Sequence, residues 1–140
     1  MTFPEVSVSL LGVLVGMFVV QVIGHAWYGA LFAKAWQKYM KITPAQVAAA
    51  KKKGMGKTIA VGFLSSFVMM FVLAHFLAYA DAVSFSDVVG TVFWLWLGFM
   101  MPLQLGKVLY EGRPIGFFLL NTAYDFVALI LGGYALLLVS

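Results

Sequence analysis

Four long stretches of this chain are almost free of charge, and they leave little choice of fold. Val6–Ala33, Thr58–Ala80 and Val88–Gly106 contain no Asp, Glu, Lys or Arg, and Ile115–Ser140 contains only Asp125. The hydrocarbon core of a bilayer is about 30 Å thick, so a helix crosses it with about 20 apolar residues. Each stretch is long enough. Spanning β-strands need only about 9–11 residues of alternating polarity, and no such alternation occurs. Lipid offers the backbone no hydrogen-bonding partner, so the segments must pair their own N–H and C=O groups, as helices do. Charged residues make up 10% of the chain, against about 25% in a soluble domain, so most of the surface faces lipid. The expectation is an all-α integral membrane protein, one domain over residues 1–140. Its transmembrane helices fall at about 6–32, 58–80, 88–107 and 115–138.

The basic residues orient these helices. Lys34, Lys38, Lys41, Lys51, Lys52, Lys53 and Lys57 lie between the first and second spans, and Lys107 and Arg113 between the third and fourth. The connection between the second and third, Asp81–Asp87, carries two acids and no base. Cytoplasmic loops accumulate Lys and Arg, which predicts both basic connections inside and both termini outside. The net charge of +4 is then a consequence of topology and of contact with anionic lipid head groups, with no nucleic acid implied. Glu5 is the only early charge, and a cleavable leader would carry a basic start. The first span is therefore expected to be retained.

The first basic connection predicts a short interfacial helix on the cytoplasmic side. Lys34–Lys41 mixes cations with aromatic rings, as interfacial segments do. Thr43 can cap, Pro44 suits the first helical position, and Gly54 can end the helix after Lys53. Gly54-Met55-Gly56-Lys57-Thr58 imitates the end of a phosphate-binding loop. The full pattern needs an earlier glycine where Lys51 stands, and a preceding strand.

Inside the spans, small residues mark helix contacts: Gly12, Gly16 and Gly24 share a stripe of the first helix, and Gly62, Ser66, Ala74 and Ala78 one of the second. These stripes serve either one bundle or a homo-oligomer. Polar residues are the functional clue. Gln21 and His25 are four residues apart on one face, as are Asn121 and Asp125. His25 precedes Lys34 by nine residues and Asp125 follows Pro114 by eleven, which places both roughly 14–17 Å deep at 1.5 Å per residue. An ionised carboxylate there costs about 2.5–3.5 kcal/mol, so Asp125 should face the interior and either pair with a cation or stay protonated. The expected contact is His25–Asp125, extended by Gln21, Asn121 and Tyr124, with Gln104 nearer the inner surface. His75 belongs to the outer end of the second helix. With no Cys and two scattered His, no metal or other cofactor is expected. Met69, Met70, Met100 and Met101 read as packing residues.

Four motifs remain: Trp27-Tyr28-Gly29-Ala30-Leu31-Phe32-Ala33-Lys34-Ala35-Trp36 at the exit of the first span, Trp96-Leu97-Gly98-Phe99 in the third, Tyr110-Glu111-Gly112-Arg113-Pro114 before the fourth, and Phe118-Leu119-Leu120-Asn121-Thr122-Ala123-Tyr124 within it. Together they resemble the bacterial membrane family catalogued as domain of unknown function 1761. The resemblance implies a small four-helix inner-membrane protein and brings no established activity. On the residues themselves, Glu111 and Arg113 are expected to pair with Lys34 or Lys107, locking the two basic connections together or forming an anion site. The leading functional reading is transport, conduction or ligand binding along the intramembrane polar face. The alternative is a non-catalytic scaffold or accessory subunit with a structural polar network, and the third is a lipid- or quinone-related enzyme. An enzyme is the least favoured, because no catalytic constellation appears.

Overall fold

The computed structural model describes residues 6–140, so Glu5 lies outside the described residues. Seven α-helices run in chain order: α1 (Leu10–Ala26), α2 (Ala33–Met40), α3 (Pro44–Lys53), α4 (Gly56–Tyr79), α5 (Phe85–Leu95), α6 (Met101–Glu111) and α7 (Ile115–Val139). Two π-helical turns, Trp27–Leu31 and Trp96–Met100, extend α1 and join α5 to α6. No strand occurs among the described residues. Four helical segments are long and apolar enough to cross a membrane: Leu10–Leu31, Gly56–Tyr79, Phe85–Glu111 and Ile115–Val139.

The span boundaries follow local chemistry. The first begins at Leu10, four residues later than expected, because the Ser9 side chain accepts from the Gly12 N–H and caps the helix there. The third begins at Phe85, earlier than expected. Ser84 and Asp87 cap each other's backbone, and Asp87 also accepts from the Val83 N–H at 3.0 Å. It ends at Gly112, whose φ of 68° suits a residue without Cβ. Thr43 and Gln46 form the capping box that starts α3, and Gly54 closes it at φ 95°.

The sequence reading did not foresee the π turns. Their backbone bonds skip one extra residue: Phe32 N–H donates to Trp27 O at 2.8 Å, and Met101 N–H to Trp96 O. Pro102 accounts for the second. It has no N–H and its ring crowds the carbonyl four residues back, so the helix widens before it.

α7 is the most enclosed span and the third span the least. α7 touches α1, α2, α4, α5 and α6, because small residues let the other backbones approach it. A Cβ built on Gly16 would lie 3.0 Å from Gly132 O, and one built on Gly12 would lie 2.8 Å from Leu136 O. The sequence stripe Gly12–Gly16 therefore packs within the bundle. Met70 of α4 fills the centre, fully buried, its sulfur against both Gly16 and Gly132. Val13, Val20, Leu77, Val88 and Val92 are buried around it, joined in the core by Leu73, Leu129 and Leu136. Lipid is as apolar as these side chains, so close packing and interhelical hydrogen bonds hold the bundle together.

Candidate functional site

The polar residues of the spans divide into separate ties. Gln21 leaves α1 toward α4: its Nε2 donates to Gly62 O at 2.9 Å and to Ser66 Oγ at 2.6 Å. Tyr28, on the first π turn, donates its hydroxyl to Asn121 Oδ1 of α7 at 2.5 Å. Trp96, on the second π turn, donates Nε1–H to Thr122 O at 2.8 Å. Thr122 turns its own hydroxyl back to Phe118 O. Gln104 Nε2 donates to Asp125 Oδ2 at 3.2 Å. The Tyr124 hydroxyl points at Val20 O, 3.5 Å away, where Gly24 leaves room for it.

Both π turns thus carry a tryptophan onto α7. The Trp27 ring lies 6.2 Å from Tyr124, and the Trp96 ring 4.8 Å from Phe126. Tyr28 packs edge-on against Tyr124 at 5.1 Å and against Trp36 of α2 at 5.9 Å. Tyr28, Ser66 and Trp96 were missed as tie residues. The recurring Trp-x-Gly at Trp27–Gly29 and Trp96–Gly98 was the available signal.

His25 and Asp125 do not meet. Four helical residues advance by about 40° beyond a full number of turns. Since Gln21 already points to α4, His25 is carried past that interface. It is exposed, and Asp125 turns to Gln104 instead. Among the described residues Asp125 has no ion-pair partner. His75 is satisfied locally, its Nδ1 donating to Phe71 O at 2.7 Å. No cluster of three or more His, Cys, Asp or Glu exists among the described residues.

The expected ion-pair lock is also built differently. Lys34, Lys107 and Glu111 are exposed and form no ion pair among the described residues. Arg113 reaches Met40 Sδ at 3.8 Å and stacks its guanidinium 5.5 Å from the Phe117 ring. Beside it the Tyr39 ring rests on Gly116, in the space a side chain would take. These contacts fasten α2 to the start of α7 without opposite charges.

His25 opens into a groove of about 590 Å³ between the end of the first span and the α2–α3 hairpin. Tyr28, Trp36 and Val47 supply apolar walls, and His25, Gln37 and Lys51 supply polar ones. A second groove, about 320 Å³, lies between α4, the third span and α7 and is lined by apolar side chains such as Met69, Phe76 and Phe99.

Removing the Gln21 amide tests the first tie. Gln21→Leu leaves Ser66 without its partner in a buried position. Interhelical hydrogen bonds in membranes contribute about 0.6–2 kcal/mol, and unfolding in detergent should show a loss of that size.

A bundle of four apolar spans, stitched by side-chain hydrogen bonds and flanked at its basic end by one amphipathic groove, defines a small multi-pass helical membrane protein. The chain belongs to the family described as Protein of unknown function (DUF1761), which it matches over residues 11–137. No curated protein and no solved structure matches it.

Proposed function

We propose that this chain is a membrane-resident binding protein for a phosphate-bearing lipid, held in the groove between the first span and the α2–α3 hairpin. The observation that carries the reading is that groove, where His25 and Lys51 share one cavity with Tyr28, Trp36 and Val47. A cation beside an apolar wall suits an anionic head group with its acyl chain attached. Lys52 and Lys53 are exposed beside Lys51 and add attraction of about 1 kcal/mol each near an anionic surface. The Lys and Arg distribution supports placing this end in the cytoplasm, with α3 on the inner membrane surface. A bacterial inner membrane, rich in acidic lipid, suits the same reading.

A scaffold or accessory role is the second reading. The observation favouring it is that Gln21, Asn121 and Asp125 are each engaged in a tie between helices, which suits register-fixing more than a conduction path. A homo-oligomer would have the exposed face of the third span available, where Cβ atoms built on Gly90 and Gly98 meet nothing.

The test is lipid retention by the purified full-length protein, read by native mass spectrometry after extraction from vesicles of phosphatidylglycerol and phosphatidylcholine. Phosphatidylglycerol should be retained preferentially, and a Lys51→Gln, His25→Gln double variant should lose about fivefold or more, the equivalent of about 1 kcal/mol. Lys52→Gln should cost less. Equal retention of the two lipids, or equal losses at Lys51 and Lys52, would reduce the groove to general surface charge. Displacement by inorganic phosphate alone would make the ligand a soluble anion.

A further inference from the structure

Gln104 and Asp125 face each other between the third and fourth spans, with Gln104 Nε2 donating to Asp125 Oδ2 at 3.2 Å. The other end of that amide is unmatched: Gln104 Oε1 is buried and meets no hydrogen-bond donor. Buried polar atoms nearly always find partners, so the exception calls for one. An ionised carboxylate cannot serve, because it only accepts. A neutral carboxylic acid can. With its proton on Oδ1, the acid donates to Gln104 Oε1 while Oδ2 accepts from Nε2, closing a cyclic acid–amide pair. Turning the amide over leads to the same requirement: Oε1 would then face Oδ2, and two oxygens make a hydrogen bond only if one carries a proton.

The surroundings agree. Asp125 sits within an apolar span, where an unpaired charge is disfavoured. Lys107, one turn beyond Gln104 on α6, is exposed and forms no ion pair with the carboxyl among the described residues. From the first span Tyr28 gives its hydroxyl to Asn121. On α7 itself Tyr124 points to Val20 O. His25 opens into the groove, the first span carries no acid, and the one acid of α6, Glu111, is exposed at the far end of that helix, about two turns beyond Gln104.

We propose that Asp125 and Gln104 form an intramembrane proton-binding site whose ligand is a single proton, shared between Asp125 Oδ1 and Gln104 Oε1 and occupied at neutral pH. Loading the site makes one O–H bond and one hydrogen bond and needs no other reactant. The proposal stands apart from lipid binding in the groove.

Infrared spectroscopy of the full-length protein in vesicles at neutral pH tests it. The wild type should show the C=O stretch of a protonated, hydrogen-bonded carboxylic acid. Isotope labelling of the aspartates should shift that band. Its sequence positions leave only Asp81 and Asp87 besides Asp125, both of them exposed, so no substitution is required for the first assignment. Asp125→Asn, which preserves shape, should abolish the band, and Gln104→Leu should move it to higher frequency as the hydrogen bonds are lost. A wild-type spectrum with aspartate present only as carboxylate overturns the proposal. So does loss of the acid band when sodium is added at constant pH, since the site would then take a metal cation.

Discussion

Replacing Gly132 by valine should separate the first and last spans and cost the bundle about 3 kcal/mol, at the upper end for overpacked interiors. A Cβ at this position would lie 2.8 Å from Val20 Cγ2 and 3.0 Å from Met70 Sδ. Val20 and Met70 are themselves buried, so neither can swing aside into lipid. Unfolding of the detergent-solubilised protein by a denaturing detergent measures the loss. Gly90→Ala is the control: nothing lies within 4 Å of a Cβ there, and alanine is favoured over glycine in a helix by up to about 1 kcal/mol, so stability should hold or rise. Met70→Ala alone should also destabilise, by about 2–5 kcal/mol. Combined with Gly132→Val it should cost less than the sum, because the two share one contact. Strict additivity would mean that Met70 of α4 does not pack against Gly132 of α7.

The spans were legible because lipid removes alternatives. A charge-free run of the right length has only one way to pair its backbone, and that reasoning anticipates the four helices long and apolar enough to cross a membrane. The exceptions are instructive. Ser9 and Ser84 moved two helix starts by hydrogen bonds that hydropathy does not register. The glycine stripes were legible as contacts, but the identity of the partner was not. Gly12 and Gly16 meet α7, whereas Gly62 receives Gln21. For the polar residues, the sequence offers a position along each helix but no direction around it. His25 and Asp125 are level by residue count, yet rotation about the helix axis decides contact, and that rotation is set by where Gly16 and Gly132 let the backbones touch. Had the recurring Trp-x-Gly been read as a widened turn after Ala26 and before Pro102, Tyr28 and Trp96 would have stood out as the side chains that turn reaches inward. Gln104 was placed nearer the inner surface and apart from the proposed pair. Its partnership with Asp125 depends on the third span passing the second π turn, which shifts every later residue of that span around its axis.

Gly116→Leu should release the α2–α3 hairpin while leaving the four spans folded. The Tyr39 ring occupies the position a side chain at Gly116 would need, so leucine and tyrosine cannot both stay. The remaining fastenings of α2 are weak: a sulfur contact from Arg113 at 3.8 Å and the edge-on approach of Trp36 to Tyr28. α3 adds little, since Val47 is its one residue that is not exposed. Overpacking of about 1–3 kcal/mol corresponds to about fivefold to 150-fold more of the released form. Trypsin cleavage at Lys51, Lys52 and Lys53 should accelerate by that factor when opening is fast relative to cutting. Denaturant resistance of the spans should hardly change, because Gly116 lies at the start of α7 and the Gly16–Gly132 contact lies several turns away. If His25 and Lys51 hold lipid together, as proposed, retention of phosphatidylglycerol should fall with the same variant, because the groove exists only while the hairpin is docked. Gly116→Ala should give an intermediate result. Unchanged cleavage in Gly116→Leu would show that Tyr39 does not anchor the hairpin. Faster cleavage with undiminished retention would confirm the anchor and place the lipid elsewhere.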